Sequence, residues 1–210
     1  MKNQSVEGVI YSPMNLAEHD SKTVAELIYT SSPPLFQFTF GSRAIEILSQ
    51  LVERSHNRFS HRYIRVAALS EKVIGMIVQV PAEQLHNEAD YEQLFSRSQR
   101  LRLKLANGLI LRHLLRHHYP EKSLYIGNLA VDSAYQSCGI GSQLLSQCIA
   151  GAEQNHQDLF ISVDIANGRA QKLYERLGFE LVETKAIGLP GLTVGSRVLV
   201  RSPHAHQTTP

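Results

Sequence analysis

In the N-terminal part of the chain, the spacing of apolar residues changes from a helical pattern to a strand pattern. Apolar side chains recur every three or four positions over Asn15–Thr30 and again over Ser42–Glu53. This spacing predicts two amphipathic helices, the first of them stopped by the prolines at 33–34. Arg62–Leu69 and Lys72–Val80 are instead apolar, β-branched-rich stretches joined by a polar Ser-Glu pair, which predicts a β-hairpin.

Residues 81–120 form a long segment rich in Glu, Gln, Leu and Arg, which favour helices. The pattern predicts two helices, at about 90–105 and 107–118, and Pro120 ends the second. A short strand is an open alternative inside the first one, because Leu alternates with Arg and Lys over Leu101–Leu105.

The C-terminal half alternates strand and helix patterns. The predicted strands are Leu124–Val131, Leu159–Val163, Phe179–Ala186 and Thr193–Arg201, and the predicted helices are Gly139–Asn155 and Asn167–Leu177, the latter capped by Gly178. The run at 159–163 is short and apolar throughout, as in a central strand buried on both faces. With a first strand before the N-terminal helices, this order predicts an α/β protein, a mixed sheet with helices on both faces.

Length and composition narrow the class of protein. A chain of 210 residues favours one domain, here 1–201 with the insert 81–120 inside it and a polar tail at 202–210 that frays. No segment approaches the ~18 uninterrupted apolar residues of a membrane helix, and the N-terminal residues do not resemble a signal peptide. Cys138 and Cys148 suggest no disulfide framework, so we expect a reduced, cytoplasmic protein. A net charge of +2 argues against nucleic-acid binding driven by bulk charge.

The segment from Leu129 to Gly141 carries the most information about chemistry. A strand runs through a short loop into a helix that begins with two glycines, Gly139 and Gly141. The first N–H groups of a helix lack partners inside the helix and attract anions, and glycine lets a phosphate approach the backbone. Ser142 stands where a nucleotide P-loop would need lysine. A pyrophosphate site and a plain helix start with glycines for close packing both fit these residues.

The stretch Gln136-Ser-Cys-Gly139-Ile-Gly141 resembles the acetyl-CoA pyrophosphate loop of the GNAT acetyltransferases, written [QR]-x-x-G-x-[GA]. The preceding strand resembles the fourth strand of that family, whose edge pairs with the pantetheine amides of CoA. The resemblance implies that Leu129 and Val131 offer backbone groups to the cofactor, and that the N–H groups from about Ser137 to Ser142 hold the pyrophosphate.

A second stretch, Asn167-Gly-Arg-Ala170-Gln-Lys-Leu-Tyr174-Glu-Arg-Leu-Gly178-Phe179, resembles the family's N-x-x-A-x-x-[LF]-Y-x-x-x-G-F helix. Asn167 suits a helix N-cap, and Ala170 would let the cofactor lie close. In the family the tyrosine matching Tyr174 protonates the departing thiolate; the residues alone also fit a core tyrosine with its hydroxyl at the rim. The cofactor contacts implied by both motifs are Leu129, Ala130, Val131, Gln136, Ser137, Cys138, Gly139, Ile140, Gly141, Ser142, Asn167 and Ala170.

The resemblance implies a mostly antiparallel, twisted sheet of six to seven strands and a helical insertion between the third and fourth strands. It also implies an N-acetyltransferase in which an amine attacks acetyl-CoA directly in a ternary complex, so neither cysteine is expected to be a nucleophile. The amine must first lose a proton. Asn128 cannot act as a base, which leaves Tyr125, His117 and His118 as candidates. The paired histidines lack carboxylate or cysteine partners at metal-ligand spacing, so we expect no metal.

The segment from Gln93 to Pro120 is basic and contains no Asp or Glu. A solvated helix face and a site that attracts an anionic acceptor or the 3′-phosphate of CoA both fit this composition. Its many leucines argue that much of it is buried, so it would wall the acceptor site or form a homodimer interface. Its cations are Arg97, Arg100, Arg102, Lys104, Arg112 and Arg116.

Two functions from different classes therefore remain in view. The first is an active N-acetyltransferase on a primary amine of a small molecule or peptide. The second is a CoA-binding sensor or structural subunit without turnover. The presence of Tyr174 beside an intact Gln136/Gly139/Gly141 loop favours the enzyme.

Overall fold

The structure is a computed structural model that describes residues 6–95, 100–101, 119–189 and 192–203. Within these ranges the strands are β1 (Ile10–Pro13), β2 (Ile64–Leu69), β3 (Lys72–Pro81), β4 (Leu124–Val131), β5 (Leu159–Asp164), β6 (Glu180–Leu189) and β7 (Leu192–Arg201). The α-helices in the same ranges are α1 (Ser21–Ser31), α2 (Pro33–Phe40), α3 (Ala44–Glu53), α4 (Ala89–Leu94), α5 (Ile140–Gln154) and α6 (Gly168–Arg176).

The described strands form one seven-stranded sheet in the order β1-β2-β3-β4-β5-β7-β6. Neighbouring strands are antiparallel except β4 and β5, which are parallel. The mixed, mostly antiparallel sheet predicted from the sequence is therefore confirmed, as is the hairpin of β2 and β3. Its turn residues, Ser70 and Glu71, both have positive φ, at 48° and 69°. Such φ values at both positions are typical of the tight two-residue turns that match the twist of a hairpin.

Helices cover both faces of the sheet, as predicted. On one face α1 packs against β3 and β4, and α2 and α3 pack against α1 and each other, with Val24, Ile28, Leu48 and Leu51 fully buried. On the other face α5 contributes Leu144, Leu145 and Cys148 to a second core cluster, to which α6 adds Tyr174. Burial of apolar side chains on both faces stabilises the arrangement at roughly 25 cal/mol per Å² of apolar surface. None of the helices in the described ranges is both long and apolar enough to cross a membrane.

Both predicted N-terminal helices begin later than expected, and a further helix between them was not predicted. The first helix begins at Ser21 rather than Asn15, because Asp20 caps it by accepting hydrogen bonds from the backbone N–H and the hydroxyl of Thr23 at 2.8 and 2.7 Å. Asn15 instead closes a local turn with the N–H of Ala17 at 3.0 Å. The pair of prolines does end α1, but Pro33 also opens α2, which the pattern did not predict, because proline suits the first position of a helix.

The third helix begins at Ala44 after a 3₁₀ turn at Gly41–Arg43, two residues later than expected. In the insert, the predicted helix at 90–105 is broken, because α4 ends at Leu94 and Phe95 is extended at φ −98° and ψ 134°. The predicted helix at 107–118 and most of the alternative strand at 101–105 lie outside the described residues. The tail prediction for 202–210 also falls almost entirely outside them.

Candidate active site

The site lies where β4 and β5 separate. The two strands pair only from Leu124 to Ile126 on β4 and from Leu159 to Ile161 on β5. Beyond Ile126 the β4 residues keep their pairing with β3 but have no partners on β5. The backbone edge of the predicted cofactor residues Leu129, Ala130 and Val131 is therefore open on the β5 side, where an extended ligand carrying amides could pair with it.

The N-terminus of α5 borders the same gap and carries no side-chain cap. Its N-cap residue, Gly139, is left-handed at φ 84°, and a β-carbon placed there would meet no atom within 4 Å. The first N–H groups of α5, from Ile140, Gly141 and Ser142, thus lack intrahelical acceptors and border open space. An uncapped helix start with room in front of it fits a pyrophosphate, because the helix dipole and the free N–H groups both favour negative charge.

Side chains of the loop fix its shape. The amide of Gln136 donates to the carbonyl of Val131 at 3.1 Å, which ties the loop back to β4. Ser137 has a positive φ of 67°, and its hydroxyl accepts a hydrogen bond from Arg169 of α6 at 2.8 Å. The half-exposed thiol of Cys138 lies 3.7 Å from the carbonyl of Gln136. Gln136 and Ser137 therefore position the loop, while a phosphate would meet mainly its backbone.

The second predicted motif starts α6 as expected. Asn167 is the N-cap residue, and its side chain accepts from the N–H of Ala170 at 3.1 Å. Beside that cap lies an open depression of about 860 Å³ lined by Gly168, Arg169, Lys172, Glu175 and Arg176. Arg169 links this depression directly to the loop at 132–139, between β4 and α5, through Ser137. Three cations and one carboxylate give it an excess of positive charge.

Tyr174 lies on the buried side of α6, with 7% of its surface exposed. Its ring packs against Phe179 with centroids 6.1 Å apart. Burial, and to a smaller extent the nearby Tyr125 phenol, raises the pKa of Tyr174 to about 12. The phenol therefore keeps its proton throughout the neutral range, which is the form that a general acid needs.

Tyr125 lies on the opposite face of the sheet from Tyr174. Its ring belongs to the core cluster under α1–α3 and packs against Tyr119 at 4.9 Å, whereas Tyr174 belongs to the cluster under α5. Tyr125 lies opposite Phe160, one residue before the last pair of β4 and β5, and its phenol still influences Tyr174 across the sheet. Of the candidate bases named from the sequence, only Tyr125 is therefore near Tyr174 in the described residues; His117 and His118 lie outside them.

Two buried polar groups beside the gap have no hydrogen-bond partner among the described residues. They are Oδ1 of Asn128, a residue 8% exposed, and the hydroxyl of Ser162 on β5. The Asn128 amide also donates to the hydroxyl of Ser31 at 2.7 Å, so Asn128 faces α1. A buried acceptor without a donor costs roughly 1–3 kcal/mol, which marks both groups as positions where a ligand or water can bind. Sequence reasoning dismissed Asn128 as a base and did not identify Ser162.

The remaining candidates have other surroundings. Cys148 is 1% exposed in the core under α5, and burial raises the pKa of its thiol to about 12. A thiol that is so deeply buried and so weakly acidic is a poor nucleophile. Nδ1 of His61 lies 3.1 Å from the carbonyl of Val52, and His56 is exposed. The described residues contain no group of three or more metal-ligating side chains.

The model of the Acetyltransferase (GNAT) family matches residues 25–179, which is more than half of the chain. The chain belongs to the GNAT family. The resemblance seen in the two sequence motifs is thus confirmed. The matched range includes β4, the loop at 132–139, α5 and α6.

Individual proteins are similar to part of the sequence or to the fold. N-alpha-acetyltransferase 50 of Danio rerio is 32% identical over 71 residues, which are 33% of this GNAT chain and 42% of that protein. The alignment thus spans less than half of that curated relative. An N-acetyltransferase from Staphylococcus aureus Mu50 has a similar fold, with a TM-score of 0.71, 20% identity and coverage of 91% of this chain and 100% of that one. A GNAT family acetyltransferase from Elizabethkingia anophelis with acetyl-CoA bound also has a similar fold. Its TM-score is 0.55 at 16% identity, and the match covers 94% of this chain and 99% of that one.

Proposed function

We propose that this GNAT protein transfers the acetyl group of acetyl-CoA to a primary amine by direct attack in a ternary complex. The proposal rests on three groups that lie close together. The uncapped start of α5, the open edge of β4 and the protonated phenol of Tyr174 all border the gap between β4 and β5. An anion site, an amide-pairing edge and a proton donor are the three groups that acetyl transfer from a pantetheine thioester needs.

Acetyl-CoA, when bound, supplies an activated acyl group on a thiol leaving group. The backbone N–H groups from about Ser137 to Ser142 hold the pyrophosphate, and Leu129 and Val131 pair with the pantetheine amides. Gln136 and Asn167 maintain the loop and the start of α6 through the hydrogen bonds described above. Ala170 keeps the surface of α6 small where the cofactor passes.

In the chemical step, the acceptor nitrogen forms a bond to the thioester carbonyl carbon and the carbon–sulfur bond breaks. One proton leaves the nitrogen for water held at Asn128 and Ser162, which passes it to solvent. The hydroxyl of Tyr125 can only relay this proton, by releasing its own proton as it accepts the one from the nitrogen. Tyr174 gives its proton to the departing sulfur. A thiol with an ordinary pKa of about 8.5 needs only this modest assistance.

For the acceptor we favour the N-terminal amine of a peptide. The relative from Danio rerio is named an N-alpha-acetyltransferase and is 32% identical over the matched 71 residues. A small-molecule amine is the alternative, and a CoA-binding subunit without turnover is the alternative from another class. A homodimer and a cytoplasmic location stay predictions.

Release of free thiol from acetyl-CoA over a panel of amines tests the proposal. We expect turnover on peptides with a free α-amine and none on the same peptides blocked by N-formylation. Turnover on small amines alone would replace the peptide by a small-molecule acceptor. Tight CoA binding with no turnover on any amine would favour the sensor over the enzyme.

With increasing pH, kcat/KM should rise and then stay level. The acceptor must be neutral, so kcat/KM should increase up to the pKa of an α-amine, about 8, or to about 10.4 for a lysine-type amine. Because burial raises the pKa of Tyr174 to about 12, the acid stays protonated and its contribution is lost only above that value. We therefore expect no descending limb between pH 8 and 10 in steady-state assays. A fall in that range that disappears in Tyr174→Phe would contradict the raised pKa.

The depression beside α6 should bind the 3′-phosphate of CoA. Arg169 already contacts the phosphate-binding loop, and Lys172 lines the same depression. We expect Arg169→Ala with Lys172→Ala to weaken CoA binding roughly tenfold, since hydrogen bonds to charged groups are worth about 1.5–3 kcal/mol and exposure reduces this. Calorimetric titration should show little change for dephospho-CoA, which lacks that phosphate. Lys22→Ala with Arg43→Ala, which removes two exposed cations near the N-terminal helices, is the charge-matched control. Equal losses for CoA and dephospho-CoA would exclude a 3′-phosphate site.

A further inference from the structure

Arg58 lies in the segment between α3 and β2 and reaches across to β4. Its guanidinium carbon is 4.9 Å from the centre of the Phe59 ring. Its Nη2 is 3.9 Å from the position that a β-carbon on Gly127 would occupy. Stacking over an aromatic ring leaves the edge of a guanidinium, with its N–H donors, free to bind a planar anion.

The charge of Arg58 is not neutralised by any residue that the structure describes. Its neighbour Arg54 lies 2.7 Å from the amide oxygen of Gln93 and 3.9 Å from Asp90. The other oxygen of Asp90 accepts from the N–H of His56 and the amide of Asn57 at 2.7 and 2.9 Å. Both oxygens of the Asp90 carboxylate, on α4, therefore already have neighbours other than Arg58. Arg58 is half-buried, so water screens its charge less than that of a fully exposed arginine.

Arg58 is also close to the reacting groups. The Tyr125 ring lies 3.6 Å from the same β-carbon position on Gly127, and the Tyr125 phenol is near enough to Tyr174 to influence its pKa. A bulge in β4 places the next residue on this side too, because Val78 pairs with Asn128 while Gln79 pairs with Ile126. Asn128, with its unpartnered oxygen, therefore faces α1 alongside Gly127.

We propose that Arg58 binds a carboxylate carried by the acceptor close to its amine, and that Oδ1 of Asn128 accepts a hydrogen bond from that amine. The two groups are complementary to such an acceptor: one is a cation with free donors, the other an acceptor without a donor. The missing side chain at Gly127 leaves room for one carbon-sized group in ordinary contact with both Arg58 and Tyr125. This inference rests on the proposed acetyl transfer and assigns its substrate class, an acidic acceptor. The sequence suggested that the basic insert attracts an anionic acceptor. This inference assigns that preference to Arg58 instead.

Matched acceptors test the assignment. Thiol release is followed with peptide pairs that differ only by Glu or Gln at one of the first two positions, and with free glutamate and glutamine to distinguish a peptide from an amino acid. The variant is Arg58→Gln. Arg62→Gln is the control, because Arg62 is exposed in the adjacent turn and the same charge is lost.

For the wild type and Arg62→Gln we expect kcat/KM to favour the Glu acceptor by roughly five- to tenfold. In Arg58→Gln this ratio should fall to about one, with activity on the Gln acceptor retained. Arg58→Glu should prefer a Lys acceptor to a Glu acceptor. A Glu/Gln ratio near one in the wild type, or an unchanged ratio in Arg58→Gln, overturns the assignment while leaving acetyl transfer intact. Absence of turnover on every amine overturns the proposed function, and this inference with it.

Discussion

Tyr174→Phe is expected to lower kcat by roughly 100-fold while acetyl-CoA affinity changes only a few-fold. Loss of one general acid typically costs about 10²–10⁴-fold, and a thiol leaving group places the effect at the lower end. Phenylalanine keeps the ring that packs against Phe179, so the variant should fold and bind as the wild type does. Single-turnover acetyl transfer at saturating acceptor, together with calorimetric titration of acetyl-CoA, measures the two quantities separately.

Tyr11→Phe is the matched control for this prediction. Tyr11 is a half-buried tyrosine on the edge strand β1, paired with Ala67 of β2, and burial raises its pKa too. Loss of its hydroxyl should leave kcat within about twofold. If kcat is unchanged in Tyr174→Phe at saturating substrates, water or another residue protonates the sulfur. Tyr174 would then serve only to position the cofactor.

The parts of the site that repeat a local pattern could be predicted from the sequence. The limits of β4 agree with the prediction residue for residue, and α5 differs by one residue at each end. β4 is an apolar run between polar residues, and α5 has a helical apolar spacing that begins just after Gly139; both are local signals. The N-cap role of Asn167 was predicted for the same reason, because capping depends on neighbours in the chain.

Other parts depend on contacts between distant segments, and the sequence carries no signal for them. The face on which Asn128 lies is an example: a regular strand would place Tyr125 and Asn128 on opposite faces, and only the bulge at Gly127 brings them together. Arg58 is another, since one arginine in a polar loop has no periodicity to mark it. Its proximity to Gly127 becomes visible only in the folded chain.

The helix limits that were wrong have local causes that compete with periodicity. Apolar residues continue the helical spacing back to Leu16, but Asp20 caps the helix more effectively than the spacing extends it. Pro33 satisfies two opposite rules, because proline ends one helix and starts the next. Spacing alone does not decide between such signals; the hydrogen bonds of the folded chain do.

Gly139→Glu is expected to abolish stabilisation by acetyl-CoA. At 100-fold excess over Kd, binding adds about 2.7 kcal/mol to the free energy of unfolding, or roughly 5–10 °C in Tm for a chain of this size. A glutamate at the N-cap of α5 would extend into the open space in front of the free N–H groups and bring negative charge to the phosphate site. The shift in Tm on adding acetyl-CoA should fall to nearly zero.

The variant also introduces strain that has to be separated from loss of the ligand. Gly139 is left-handed at φ 84°, so any other residue there costs roughly 1–2 kcal/mol and lowers Tm in the absence of ligand. Gly139→Ala has that strain without the charge, and its methyl group meets no atom within 4 Å. We therefore expect Gly139→Ala to start from a similarly reduced Tm and to keep most of the shift. Equal shifts in Gly139→Glu and the wild type would show that the phosphates bind elsewhere, and the assignment of the α5 N-terminus as the pyrophosphate site would be wrong.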